Sequence, residues 1–323
     1  MEFFNSALGK NITFVRPAYF MISGFVGIPN VKYFYVFLLF IYFTSILGNS
    51  VVMIVIIFDQ NLRTPKHIAV LNLVLVDLFG NTALVPKLLD IFLFNHPSIS
   101  YNDCLTFLFF CFVSLTMQAL NLVALSYDRL IAIIYPLHYH VKVTHRLMLG
   151  LIASLWLFAI FVTLIAVGLL TRLSFCKSVV IRSFFCDHGP LFKLSCNDAT
   201  PSQVIALVLA NVILWIPLIF ILGSYCAIAY ALLKITTTKE RVKAFKTCTS
   251  HLSLVMMYFL PIIVVYRFSA MIHPNARIMI MSLVSVVPPM LNPIVYVLQT
   301  EEIKKSLKKF MKVRGQLKIS SKN

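Results

Sequence analysis

The chain is 323 residues long and carries 28 Lys and Arg against 11 Asp and Glu, a formal net charge of +17. Only 12% of its residues are charged while 60% are hydrophobic, 28 of them Phe, and the mean hydropathy is +0.90. A soluble domain carries about 25% charged residues, so a soluble enzyme and a mostly disordered chain are both excluded and a membrane protein remains.

The N-terminal segment lacks the basic, apolar and small-residue succession of a signal peptide, so the first span is expected to act as the insertion signal. Asn11-Ile12-Thr13 is an acceptor for N-glycosylation if this end is lumenal. A helix crosses the hydrocarbon with roughly 17–25 mostly apolar residues. Charge-free runs of that size lie between Lys32 and Asp59, Asp103 and Asp128, Arg146 and Arg172, Asp198 and Lys234, Lys246 and Arg267, and Arg277 and Glu301. One more apolar run, His67 to Pro86, is interrupted only by Asp77. Helices satisfy their own backbone hydrogen bonds in lipid, and the alternation of barrel strands is absent, so seven helical spans are expected. The expected fold is an all-α membrane protein. Residues 1–32 form an extracellular N-terminus, 33–300 a seven-transmembrane helix bundle, and 301–323 a basic cytoplasmic tail with a short amphipathic helix.

Orientation follows from Lys and Arg. With the N-terminus outside, 18 of the 28 fall on the inner side, eight of them from Lys304 onward. The bias has the direction of the positive-inside rule and rests on that tail. In the tail, Lys304, Lys305, Lys308, Lys309 and Lys312 recur around Ile303, Leu307 and Phe310, the pattern of a helix lying on an anionic inner leaflet. A plain basic tail is the alternative.

Seven cysteines are present. Cys104, Cys176, Cys186 and Cys196 lie on the outer side, where an oxidising compartment allows pairing, and four cysteines permit three connectivities. Cys111, Cys226 and Cys248 read as small buried hydrophobes. No Cys/His spacing resembles a zinc site. Nor is there a Ser/His/Asp or Cys/His arrangement, so the chain is not read as an enzyme, and nothing offers a nucleic-acid surface.

Asp77 is the most informative residue on physical grounds alone. A carboxylate in hydrocarbon is costly, so it is expected to face the bundle interior and meet polar partners, with Asn49, Asn72 and Asn292 as candidates. Two readings stand side by side: an ion or proton site that changes occupancy with conformation, and a static hydrogen-bonded plug. Prolines 217, 261, 288, 289 and 293 fall inside spans, where each removes a backbone donor and can kink the helix.

These residues carry a recognisable pattern. Gly48-Asn49, Asn72 to Asp77 and Asn292-Pro293-Ile294-Val295-Tyr296 resemble motifs of rhodopsin-like G-protein-coupled receptors. Four further runs resemble the odorant-receptor family within that group. They are Ser126-Tyr127-Asp128-Arg129-Leu130 with Tyr135-Pro136-Leu137-His138-Tyr139, Phe184-Phe185-Cys186-Asp187, Lys243-Ala244-Phe245-Lys246-Thr247-Cys248-Thr249-Ser250-His251, and Pro288-Pro289-Met290-Leu291-Asn292-Pro293. The likeness extends from about residue 30 to 310. Phe259 with Pro261, and Tyr266-Arg267-Phe268, look like the fish-like or class I branch.

The resemblance implies disulfides Cys104–Cys186 and Cys176–Cys196. It implies an odorant cavity between the outer halves of the third, fifth and sixth spans, with candidates Leu108, Cys111, Phe112, Leu115, Thr116, Phe259, Ile263 and Tyr266. Arg267 is placed to meet a carboxylate, since class I similarity suggests small water-soluble odorants, or else to line the mouth and meet headgroups. Asn49, Asp77 and Asn292 become a polar core able to hold a sodium ion, the one metal expected, with no other cofactor. Asp128, Arg129, Tyr225, Lys243, Lys246, His251 and Tyr296 are assigned to activation and coupling. The implied partners are an odorant, a stimulatory heterotrimeric G protein that raises cyclic AMP, and membrane lipids. The implied place is the plasma membrane of olfactory cilia. Three departures stand out: Leu130 in place of the usual tyrosine, Phe259 in place of a tyrosine, and Pro65-Lys66-His67 in place of Pro-Met-Tyr. Competing classes are a receptor of the same fold for a non-olfactory cue and, more remotely, a transporter or channel.

Overall fold

The computed structural model describes residues 15–320 apart from 177, 235, 236, 269 and 270. At 239, 240, 243, 246, 247, 298, 299 and 311–320 it describes the backbone alone. Every apolar run is helical. In chain order the helices are α1 (Lys32–Phe58), α2 (Pro65–Phe92), α3 (Tyr101–Ile134), the short α4 (Tyr139–Lys142), α5 (His145–Thr171), the short α6 (His188–Leu194), α7 (Thr200–Lys234), α8 (Thr238–Arg267), α9 (Pro274–Gln299) and α10 (Glu301–Ser320). Seven of them, α1, α2, α3, α5, α7, α8 and α9, are long and apolar enough to cross a membrane.

Local chemistry sets several starts. Pro65 and Pro274 stand in the first turns of α2 and α9, where the missing N–H costs nothing. The Ser100 hydroxyl accepts from the Asp103 amide at the start of α3, and Thr144 accepts from Leu147 at the start of α5. Pro86 does not end the second span: α2 continues past it to Phe92.

The third span is the axis of the bundle. In its apolar window 72% of residues are buried, against 17% in α5 and in α7, so α3 is enclosed while those two present most of their surface to lipid. Close approach supports this. A Cβ on Gly80 of α2 would stand 1.9 Å from the Ser114 hydroxyl of α3, so only a hydrogen fits there. A Cβ on Gly48 of α1 would meet the Pro293 ring of α9 at 3.3 Å.

The all-α expectation needs one addition at the outer end. A three-stranded sheet in the order β2-β1-β3 joins β1 (Tyr19–Ile22), β2 (Ser98–Ser100) and β3 (Val180–Ile181). β1 runs antiparallel to β2 and parallel to β3. Phe20 on β1 is wholly buried and meets the Phe175 ring edge-on at 5.4 Å. The Asn275 side chain closes the arrangement by accepting from the Val26 amide at 3.0 Å and donating to its carbonyl at 2.7 Å. Residues 15–31 are therefore fitted across the outer end of the bundle. Strands this short carry too little alternation to be read from sequence.

Deeper in the bundle, Asn72 does not serve Asp77. Its amide donates to the Asn121 side-chain oxygen, and its own oxygen accepts from the Trp156 indole at 2.9 Å, which links α2, α3 and α5. Asn72→Ala removes both bonds and leaves the indole N–H with no acceptor. A loss of about 1–2 kcal/mol is expected in the melting of the detergent-purified chain, with a smaller loss for Trp156→Phe. Equal melting of Asn72→Ala and the unaltered chain would remove this network from the account of stability.

Candidate functional site

Two disulfides shape the outer end. Cys104 at the top of α3 bonds Cys186, and Cys176 bonds Cys196 within the segment that joins α5 to α7. The first holds Phe184 and Phe185 down against the bundle, where both are buried. Below them lies a narrow cavity with room for only about 20 Å³ of water-sized space. Gly80 and Leu84 of α2, Cys111, Ser114, Leu115 and Gln118 of α3, and Met281 and Ser285 of α9 complete its lining. The Gln118 side-chain oxygen is buried with no hydrogen-bond partner. An aromatic roof over a polar floor with an unpaired acceptor suits a small, largely apolar molecule that carries one donor.

This cavity lies between α2, α3 and α9, whereas the resemblance implies an odorant cavity between the third, fifth and sixth spans. Of the residues singled out from sequence, Cys111 and Leu115 line it. Leu108 and Thr116 are buried elsewhere in the packing, and Phe112 turns to the outer loop, edge-on to the His188 ring at 4.7 Å. Phe259 is buried against Tyr258. Ile263 and Tyr266 are half-buried, and the Tyr266 hydroxyl accepts from Asn211 of α7 at 2.8 Å. Arg267 is exposed at the end of α8. One residue before Phe259, the Tyr258 hydroxyl donates to the Leu115 carbonyl and joins α8 to α3. The hydroxyl that Phe259 lacks is thus present at Tyr258.

The polar core is joined from three helices. Asn292 of α9 donates to one Asp77 oxygen at 2.7 Å. Asn49 of α1 donates to the Pro289 carbonyl at 2.8 Å and to the Ser45 carbonyl at 2.9 Å, and Asn81 of α2 donates to the Ser45 hydroxyl at 2.7 Å. The other Asp77 oxygen and the side-chain oxygens of Asn49 and Asn81 are all buried with no partner. What is missing here is positive charge or donors.

At the inner end Asp128 is buried and accepts from the Tyr139 hydroxyl at 2.6 Å. Burial first, then the Asp128 carboxylate, push the Tyr139 phenol well above its ordinary range, so it stays a donor. Asp128 and Arg129 do not form an ion pair among the described residues. Arg129 keeps a buried, unpartnered Nε. Tyr225 of α7 shares a 2.7 Å hydrogen bond with His251 of α8 and donates to the Cys248 carbonyl at 3.2 Å, which ties these inner ends together. The side chains of Lys243 and Lys246, and Asn11, lie outside the described residues. Cys111 and Cys248 are buried, whereas Cys226 is exposed, contrary to the expectation of a buried hydrophobe.

A family model described as "Olfactory receptor" matches residues 38–314. The chain belongs to the olfactory receptor family. It is 36% identical to Olfactory receptor 1E16 of Mus musculus over 91% of this chain and 96% of that one. Its identity to Olfactory receptor 1F1 of Homo sapiens is 37%, over 90% and 94% respectively. It is therefore an odorant-sensing G-protein-coupled receptor and not an enzyme, with odorants and a G protein as its partners, and it spans the membrane several times.

Sequence reasoning missed Gly80, Ser114, Gln118, Ser285 and the two phenylalanines of the roof. Gln118 had a readable signal, an amide inside an apolar span, while Gly80 had none until its neighbour was known. In the receptor, Gly80→Ala forces α2 from α3 and intrudes on the cavity. A loss of about 1–3 kcal/mol in thermal stability is expected, with part of it recovered in the Gly80→Ala/Ser114→Ala double variant. No recovery would mean that Ser114 is not the obstruction.

The outer loop also carries a buried histidine. Burial lowers the pKa of His188 below its ordinary 6.5, against the neighbouring Asp187 carboxylate and a backbone contact to Ala166, which raise it. Asp187 itself is engaged by Arg277 at 2.7 Å. The folded ring therefore binds its proton less readily than the free one, and the packing it contributes is complete above 6.5 and weakens as pH falls below that value. Protection factors for hydrogen exchange across residues 181–195 are expected to fall between about pH 8 and pH 5, and to fall less in His188→Gln. Equal pH dependence in the two proteins would exclude His188 as the cause.

Proposed function

We propose that the receptor binds a small odorant beneath Phe184 and Phe185 and responds by activating a stimulatory G protein, raising cyclic AMP. The observation that carries this reading is the geometry of α3. Cys111, Leu115 and Gln118 face the cavity, and Asp128 and Arg129 stand about three helical turns beyond Gln118 on the same helix. A ligand shifts the receptor only by binding one state better than another. In the state described here the cavity is nearly closed, so the ligand favours a state in which the roof or α9 has moved. Separation of the Tyr225–His251 contact would then open the inner end to the G protein, flanked by Lys243, Lys246 and His251. Tyr296, whose buried hydroxyl has no partner, is placed to exchange contacts in the same step.

The cavity lining holds no cation among the described residues, which supports a neutral odorant at this position. A carboxylate-bearing odorant remains the class I expectation and would draw on Arg267 at the end of α8. The branch itself rests on Phe259, Pro261 and Tyr266-Arg267-Phe268.

The donor set of the polar core fits a sodium ion. Three unpartnered oxygens, from Asp77, Asn49 and Asn81, are hard ligands for a hard cation, and Asn292 orients the Asp77 carboxylate. Sodium would supply the positive charge that this buried carboxylate lacks. We further propose glycosylation at Asn11, a division at about residues 32 and 300 into outer segment, bundle and cytoplasmic tail, contact of α10 with inner-leaflet headgroups, and residence in olfactory cilia.

The test is an odorant-panel screen in cells that express the receptor with a stimulatory G protein, reading cyclic AMP. At least one small odorant is expected to raise the signal, and Arg129→Ala is expected to abolish the rise at equal surface expression. A full response in Arg129→Ala would sink the coupling mechanism. A ligand-dependent current from the purified protein in bilayers, without cyclic AMP, would favour the channel alternative.

A further inference from the structure

A second concavity lies on the flank of the bundle, away from the odorant cavity. It is an open groove with room for about 260 Å³ between the outer end of α2 and the first turns of α3, beside β2. Ala83, Ile99, Phe107 and Phe110 form its apolar wall, and Lys87, Asp103 and Thr106 form its polar edge. Phe110 is 40% exposed, so the wall continues outward onto the surface that faces lipid.

The two charges are in different states. Lys87 donates to Asp90 at 2.7 Å, but Asp90 also meets His96 at 2.9 Å, and the Lys87 side chain remains 34% exposed. Asp103 is exposed; its amide is bonded to Ser100, and its carboxylate has no hydrogen bond or ion pair among the described residues. The groove therefore offers a cation on α2 and a free anion on α3, on an apolar wall that includes the aromatic rings of Phe107 and Phe110, and such rings attract cations. These charges mark the outer limit of the spans, which is the depth of lipid headgroups.

We propose that this groove binds a phosphocholine lipid of the outer leaflet, with the phosphate on Lys87, the trimethylammonium between Asp103 and the rings of Phe107 and Phe110, and the acyl chains along the exposed face of Phe110. Charge complementarity selects the zwitterion. An anionic headgroup satisfies Lys87 and sets its charge against Asp103, whereas a cationic amphiphile satisfies Asp103 and opposes Lys87. The apolar continuation at Phe110 selects a lipid over a free zwitterion from water.

The full-length receptor, purified in detergent, is titrated with dioleoylphosphatidylcholine, dioleoylphosphatidylglycerol and dioleoylglycerol, and lipid retention is read by native mass spectrometry. Phosphatidylcholine is expected to be retained roughly threefold or more over each of the others, the size of one or two partly exposed charge contacts. Asp103→Asn should bring the choline-to-glycerol ratio near one at an unchanged melting temperature, and Lys87→Gln should lower retention of both phospholipids. Equal retention of the three lipids by the unaltered receptor would overturn the proposal, as would an unchanged ratio in Asp103→Asn. Displacement of the lipid by an equal concentration of glycerophosphocholine would overturn the lipid as occupant.

Discussion

Inside lipid a polar side chain has no water to return to, so it must find its partner on another part of the protein. In this receptor that constraint joins the helices at three depths. Near the middle, Asn49, Asn81 and Asn292 bond across α1, α2 and α9 around Asp77. Beside them Asn72 links α2, α3 and α5 through Asn121 and Trp156. Toward the inner end, Tyr225 and His251 hold α7 to α8. Apolar contact cannot specify these registers, because a leucine packs about as well against lipid as against another leucine.

The outer end is built by a different force. Here the chain leaves lipid, and the Cys104–Cys186 bond ties the segment after α5 to the top of α3. Phe20, Tyr101 and Phe175 pack beneath the small sheet, and Asp187 holds Arg277 across to α9. The roof over the cavity is therefore anchored on α3 and α9, the same two helices that supply much of its lining. A movement of α9 changes both the roof and the space below it.

The inner end shows how one departure from the family pattern is accommodated. Leu130 removes an aromatic residue after Arg129, yet Asp128 still finds a phenol, that of Tyr139 on α4. Among the described residues Arg129 forms no ion pair, and its buried Nε has no hydrogen-bond partner. A restraint of this form depends on α7 and α8 staying together more than on an ion pair within α3. At the start of the tail, α10 is fastened by Ser306 to Asp59 and by Glu302 to Lys66 at 2.7 Å. The Ser306 hydroxyl first, and the Asn61 amide next, hold the Asp59 carboxyl below its ordinary range, so it stays ionised as an acceptor.

The seven spans, their order and the need to bury Asp77 were legible from residues alone, because long apolar runs between charges report directly on lipid. The Asp128-Arg129 and Asn292-Pro293 motifs identified the family for the same reason that they are local: their residues adjoin in the chain. Contacts between distant residues were not legible. Only the tertiary structure decided that Asn72 serves Trp156 rather than Asp77, that Tyr258 joins α8 to α3, and that Gly80 leaves room for Ser114. Hydropathy is a sum over a segment and is blind to which way a side chain turns. A cavity, by contrast, depends on which faces of three helices meet, and a rotation of one helix by a single residue would bring a different set together.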